Sequence, residues 1–387
     1  MFHINDNFCK LAESYLFSEV AKRINAYKEA HPEADIIRMG IGDVTRPLCP
    51  AAIAAMHAAV DDEADARTFH GYGPEQGYAF LREAIAENDY RARGIDIDTD
   101  EIFVSDGAKS DTGNIGDILS RSNRVAVTDP VYPVYVDTNV MGGRAGELDA
   151  EGCWSNIVYL PVTAENGFVP ALPTEPVDMI YLCYPNNPTG TVTDHDVVSA
   201  VISNNPDTLF IIDQSYSHYT LKRTLQPREC ARQGNVLLLN SMTKDFGIPG
   251  LRLGFVTASR RLISLLRSHR MPWSVNSLAI CAGMFLLKHH EDYSIDTATL
   301  CSERERVGRL IEELGIMTYP SDSNMLLCRL PESDAATLKE FLVASHSILI
   351  RDASNFETLT PQHFRIAVQT REENDKLIKS LEEWMKQ

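Results

Sequence analysis

At 387 residues, 44% hydrophobic and 23% charged, the chain has the composition of a folded globular protein with room for two cores, which excludes intrinsic disorder. Its 36 basic residues against 54 acidic ones leave a formal charge of −18, spread along the sequence, a field that opposes nucleic-acid binding. No basic-then-apolar leader opens the sequence and no apolar run reaches the length of a membrane span, so a cytoplasmic protein is expected.

Apolar residues recurring at three- and four-residue steps predict amphipathic helices over residues 19–29, 51–61, 78–93, 109–119, 194–202 and 277–287. Between them, short apolar runs ending in polar or glycine-containing turns predict strands over 102–105, 125–128, 179–184, 209–213, 236–239 and 253–257. This alternation is the βαβ rhythm of an α/β protein whose mostly parallel sheet is covered on both faces. From about residue 295 the pattern changes. A charged helix over 303–315, a strand over 324–329, a helix after Ser333-Asp334, short strands over 347–351 and 364–367, and a last helix from Thr370 predict a separate α+β unit. The eight cysteines include no C-x-x-C pair, and Cys183 and Cys328 sit in apolar runs, so reduced structural thiols are expected and no metal site. His289-His290 lies beside Glu291-Asp292, but adjacent helical residues do not share a face, which predicts a solvated helix end.

Polar clusters stand where predicted strands end. Pro185-Asn186-Asn187-Pro188-Thr189-Gly190 follows the run 179–183, and Asp213-Gln214-Ser215-Tyr216 follows 209–212. Ser241-Met242-Thr243-Lys244 comes next, then Gly250-Leu251-Arg252-Leu253-Gly254. S-x-x-K alone also occurs in serine acyltransferases and in surface loops. In this company it places a lysine and an arginine where pyridoxal phosphate needs them, since only a primary amine condenses with an aldehyde. Arg252 between two leucines needs an anion, Ser241 adds a hydroxyl, and Gly107-Ala108-Lys109 opens a predicted helix whose N–H groups and dipole suit a phosphate. A carboxylate at Asp213 would keep the ring nitrogen protonated, with Tyr216 and Asn187 donating to the ring oxygen. Singly, these residues also read as a turn aspartate, a core tyrosine and a turn asparagine.

The same residues in the same order resemble the fold type I pyridoxal phosphate enzymes, the aspartate aminotransferase superfamily, over essentially the whole chain. The N-terminal half resembles LL-diaminopimelate aminotransferase through Leu16-Phe17-Ser18-Glu19, Gly40-Ile41-Gly42-Asp43-Val44-Thr45-Arg46-Pro47-Leu48, Gly71-Tyr72-Gly73-Pro74-Glu75-Gln76-Gly77, Ser105-Asp106-Gly107-Ala108-Lys109 and Asp129-Pro130-Val131-Tyr132-Pro133. The C-terminal half is similar to histidinol-phosphate aminotransferase and threonine-phosphate decarboxylase, through Lys244-Asp245-Phe246-Gly247-Ile248-Pro249-Gly250-Leu251-Arg252 and Pro272-Trp273-Ser274-Val275-Asn276.

The resemblance implies a large domain over 36–290 with a mostly parallel seven-stranded sheet, and a smaller discontinuous α+β domain formed by 1–35 and 291–387. It also implies a homodimer with shared active sites. Tyr72 matches the tyrosine that reaches the phosphate from the neighbouring subunit, and Tyr132 matches the aromatic residue stacked on the cofactor ring or, alternatively, packs in the core. Arg365 matches the arginine that forks onto a substrate α-carboxylate, with an edge-strand role as its alternative. Tyr15, Glu75 and Lys109 match contacts to the far amino-carboxylate end of diaminopimelate, the first two across the dimer. Gly42, Asn187 and Asn276 complete the implied substrate contacts; cap, surface and turn roles stay open for Tyr15, Glu75, Lys109 and Asn276.

A dinucleotide-binding reading fails, because Gly40-x-Gly42 has Thr45 at the third glycine and Gly71-x-Gly73 is followed by Pro74. No appended basic helix-turn-helix suggests a regulator. An aminotransferase of LL-diaminopimelate with 2-oxoglutarate as acceptor is expected; the alternative is an aminotransferase or decarboxylase of histidinol phosphate or threonine phosphate.

Overall fold

In the computed structural model, residues 3, 5–11, 27–29, 31–33, 35–42, 47–74, 77–150 and 152–386 are described. A two-residue strand, β1 (Ile37–Arg38), precedes seven strands that make one sheet: β2 (Ile102–Ser105), β3 (Val125–Asp129), β4 (Ile157–Pro161), β5 (Met179–Cys183), β6 (Leu209–Asp213), β7 (Val236–Asn240) and β8 (Gly254–Ala258). Their spatial order is β2-β8-β7-β6-β5-β3-β4. The sheet is parallel except for β8, which runs antiparallel to both β2 and β7. Both faces are buried, which is why these strands are continuous apolar runs. Val127, Tyr181, Ile211 and Leu237 enter one core cluster, while Ala126, Ile180, Ile212 and Leu238 enter another.

Most predicted elements appear within one or two residues of their expected ends. The helix expected over 19–29 falls on residues outside the description apart from 27–29, which are helical. The single helix expected over 78–93 is instead three segments: α-helix Ala79–Ala84, a π-helical stretch Ile85–Tyr90, and a 3-10 turn Arg91–Arg93 closed by Gly94 at φ 76°. The charged helix starts at Thr297 rather than 303, capped by Asp296, whose side chain accepts from the Thr299 amide. Edge strand β4 was not anticipated.

The smaller unit is an antiparallel sheet. β9 (Met317–Thr318), β10 (Met325–Arg329), β12 (Arg351–Asp352) and β13 (His363–Ala367) lie in the order β12-β13-β10-β9. β11 (Ile348–Leu349) pairs in parallel with β1, so the stretch expected as one strand over 347–351 serves two sheets. Ile37 and Met39 share a core with Leu326, Phe364, Ile366 and Leu377, which makes the small unit discontinuous in sequence. All eight cysteines are unpaired. No helix among the described residues is long and apolar enough to cross a membrane.

Candidate active site

Parallel strands release their chains at one edge of the sheet, and polar groups that cannot lie inside an apolar strand collect there. Register sets Cys183, Asp213 and Leu239 side by side at the ends of β5, β6 and β7. The turns beyond them deliver Asn187, Tyr216, Ser241 and Lys244 to a cavity of about 430 Å³. Helix Ala108–Asp117 brings Ala108 and Lys109 into its wall, Tyr132 and Arg252 join from adjoining turns, and Gly42 and Arg365 approach from the small unit's side. A larger cavity, about 670 Å³, lies on the other side of Lys244 between Asp245, Glu303 and Arg306; it holds none of Asp213, Asn187 or Arg365, so the convergent chemistry belongs to the first.

Asp213 is buried at the floor of the cavity. Tyr135 donates its hydroxyl to Oδ2 at 2.8 Å, and the Ser215 amide donates to Oδ1 at 2.8 Å. Burial pushes this carboxyl above its ordinary range, although the bonds from Ser215 and Tyr135 and the charge of Lys244 pull against it. A protonated ring nitrogen beside it would supply the missing positive partner. Lys244 sits in the short helix Met242–Asp245, its backbone carbonyl accepting from Tyr219 at 3.0 Å and its Nζ lying 5.8 Å from the Tyr216 ring centre.

One end of the cavity is built for an anion. Gly107 caps helix Ala108–Asp117 at φ 117°, and a Cβ there would stand 2.9 Å from an Arg252 guanidinium nitrogen. Glycine therefore lets the guanidinium close onto the first helical N–H groups, where the dipole favours negative charge. Arg252 itself takes φ 58°, a strained conformation for a side-chain-bearing residue, and donates to the Pro249 carbonyl at 3.1 Å. The Ser241 and Thr243 hydroxyls pair at 2.6 Å on the same wall. Desolvation and the charge of Arg252 lower the Lys109 ammonium, while Asp137, raised to about 6 by burial, opposes them.

The opposite end holds Arg365, 5% exposed on the fully buried strand β13. It donates to Asn187 Oδ1 and to the Gly40 carbonyl, which leaves the Asn187 amide N–H₂ as that residue's offering to the cavity. Arg365 Nε is buried and has no hydrogen-bond partner among the described residues; a buried guanidinium in that state calls for a carboxylate or phosphate ligand. Gly42 lies against Tyr216, whose hydroxyl would be 2.7 Å from a Cβ at position 42, so the close approach needs glycine.

Not every expected residue reaches this cavity. Asn276 caps helix Ser277–Lys288, accepting from the Ala279 amide at 2.8 Å, and is exposed beside Tyr72 and Trp273 on another groove. Tyr72 is 89% exposed and packs its ring 4.8 Å from that of Trp273. Tyr15 and Glu75 lie outside the described residues. Two groups that shape the site, one behind the cavity and one lining it, escaped the sequence reading. Tyr135 looks like any core aromatic until helix Val134–Met141 packs on the sheet and sets its hydroxyl on Asp213. Arg351 lines the cavity on short strand β12, donating to Asn355 Oδ1 at 2.7 Å; burial and then the charge of Arg365 push it down to about 10.

A mostly parallel seven-stranded sheet with a discontinuous second unit, and a lysine facing a carboxylate at the strand ends, defines the fold type I pyridoxal phosphate class. The aminotransferase class I and II pattern matches residues 34–381, and the chain belongs to that family. It is 53% identical over 268 residues to the LL-diaminopimelate aminotransferase of Agathobacter rectalis, covering 68% of this chain and 66% of that one, so the match spans just under two thirds of the relative's length. The solved L,L-diaminopimelate aminotransferase from Chlamydomonas reinhardtii aligns with TM-score 0.83 at 26% identity over 99% of both chains. L-threonine-O-3-phosphate decarboxylase from Porphyromonas gingivalis aligns with TM-score 0.78 at 25% identity, over 91% of this chain and all of that one.

Proposed function

We propose that the protein is a cytoplasmic, pyridoxal phosphate-dependent aminotransferase that takes an amino group from LL-diaminopimelate and delivers it to 2-oxoglutarate. The observation that carries the activity is the convergence of the Lys244 amine, the Asp213 carboxyl and the buried Arg365 guanidinium on one cavity. The substrate rests on the 53% identity to the Agathobacter rectalis enzyme. When bound, pyridoxal phosphate supplies an electron sink that acidifies the substrate Cα–H bond. Lys244 anchors the aldehyde carbon and afterwards carries the proton to and from Cα. Asp213 holds the proton on the ring nitrogen; Tyr216 and Asn187 donate to the ring oxygen; Tyr132 covers the ring. Ser241, Arg252 and the N–H groups at Ala108 and Lys109 hold the phosphate. Arg365 orients the substrate by its α-carboxylate, with Gly42 leaving room beside it.

Arg351 favours a second reading. Two guanidiniums at one end, one buried and one half-buried, suit a substrate with more negative charge, such as an amino-acid phosphate or amino-alcohol phosphate, with threonine phosphate decarboxylation as its sharpest form. A side-by-side assay of LL-diaminopimelate, histidinol phosphate and threonine phosphate separates the two. Diaminopimelate is expected to alter the cofactor spectrum and to yield glutamate from 2-oxoglutarate, with no carbon dioxide from threonine phosphate. A silent spectrum with diaminopimelate beside conversion of a phosphorylated substrate overturns the choice.

The same proposal includes a homodimer with shared sites, in which Tyr72 serves the neighbouring phosphate. Exposed Tyr72, Met271 and Trp273 form the patch that supports it, at 89%, 85% and 51% exposure. Mixing inactive Lys244→Ala and Tyr72→Ala chains should restore part of the activity; no recovery after demonstrated subunit exchange refutes sharing.

A further inference from the structure

Behind the wall that carries Lys244, three sequence-distant elements bring ligand-type side chains together. Asp89 belongs to the π-helical stretch Ile85–Tyr90, His218 to the 3-10 turn Ser217–Tyr219 just after Tyr216, and His290 to the start of helix His290–Tyr293. One potential ligand atom from each lies within 4.8 Å of the others. This corrects the solvated helix end expected for His289-His290. His289 does face outward toward Asp292, but His290 turns in, its ring 5.8 Å from that of His218 and 5.6 Å from that of Phe246.

Around the cluster the polar bookkeeping is incomplete in one particular way. His218 Nδ1, His290 Nε2 and Asp245 Oδ1 are buried with no well-formed hydrogen bond among the described residues. Asp245, the neighbour of Lys244, sets its other oxygen 2.9 Å from His218 Nδ1. A carboxylate behind an imidazole is the arrangement that fixes the tautomer of a metal-ligating histidine. Arg93 donates to Asp89 Oδ1 at 2.9 Å, which leaves that carboxylate its second oxygen. Unsatisfied buried nitrogen and oxygen atoms converging from three sides are costly unless something completes them.

We propose that Asp89, His218 and His290 form a divalent-cation site for a zinc-type ion, with Asp245 as the carboxylate that orients His218. Two imidazoles and one carboxylate are a borderline-soft donor set that suits zinc, with a fourth position left for water. Bonds of roughly 2.0–2.1 Å in tetrahedral geometry set ligand atoms about 3.4 Å apart, so from separations within 4.8 Å the atoms close by no more than about 1.4 Å on the ion. No charge or proton need move through it. The ion's role is to pin the turn following Asp213 and Tyr216 to the helical layer beneath, holding the cofactor wall from behind.

The test is equilibrium dialysis of the chelator-treated holoenzyme, freed of unbound pyridoxal phosphate, against zinc chloride alone, with melting temperature read alongside. One zinc per chain and a raised melting temperature are expected. His290→Gln and Asp89→Asn should each weaken binding at least tenfold and remove the thermal shift, and Asp245→Asn should weaken it about 10–100-fold. Should Asp89→Asn fail to fold, the half-exposed His290→Gln carries the test by itself. Zinc occupancy that levels off well below one per chain as free zinc is raised to saturation, or binding unchanged in His290→Gln, overturns the proposal.

Discussion

Lys244→Ala is expected to give a folded, colourless protein whose turnover falls at least about 10⁴-fold, because one substitution removes both the amine that condenses with the aldehyde and the group that carries the proton. Folding should survive. The turn is seated by contacts that survive the substitution, among them the Tyr219 hydroxyl, which donates to the backbone carbonyl of Lys244 at 3.0 Å, and the Asp245–His218 ion pair. The wild-type protein should be yellow, and borohydride reduction followed by peptide mapping should find the cofactor on Lys244. Label on another lysine, or a colourless variant that still transaminates, removes Lys244 from its role.

Asp213→Asn should retain the cofactor yet lose about 10²–10³-fold in turnover, since a neutral amide leaves the phosphate grip intact and withdraws only the charge beneath the ring. The same substitution has a second, oppositely signed effect on the cofactor-free protein. Asp213 has a folded pKa raised by burial, so its ionisation opposes folding. That cost is absent below the unfolded pKa and builds as pH rises toward the folded one. At neutral pH the cofactor-free Asp213→Asn protein should therefore melt higher than wild type, measured by calorimetry. Full activity, or a lower melting temperature at neutral pH, contradicts the assignment.

Strand ends were legible because polarity changes abruptly there. Leu209 to Ile212 are apolar and Asp213 is charged, so element and site residue were read from one boundary, and β2 and β6 appeared at their expected limits. β4 was missed although Ile157-Val158-Tyr159-Leu160 is apolar, because this short edge strand ends in Pro161 with no chemistry-bearing polar cluster of the kind that marks the central strands. The 78–93 segment reads as one helix because an inserted π turn leaves the apolar pattern almost unchanged. What it changes is which side chains face inward, and Asp89 is among them. Arg351 and Tyr135 join the site only by tertiary placement, beside Arg365 and on Asp213, which periodicity cannot supply. Asn276 followed by Ser277 and an apolar run already carries the signature of a helix cap, and the described chain uses it so.

The antiparallel strand β8 has a consequence for how the molecule comes into being. β2 finds its sheet partner only in β8, with Ser105 opposite Gly254, an interval of 254 − 105 = 149 residues. Closing a loop of that length costs about 4 kcal/mol in chain entropy, and a chain emerging N-terminus first cannot begin to recover it until β8 has been synthesised. Gly107 follows β2 and Arg252 precedes β8, so the two halves of the anion cradle meet through that one pairing. A nascent chain can therefore lay down β3, β5, β6 and β7, with Asp213 already in its register, and still lack the Gly107–Arg252 approach on which the proposed phosphate grip depends. Under the proposed function, cofactor capture is then a late checkpoint on the large sheet, open only to chains that have completed its last strand, β8.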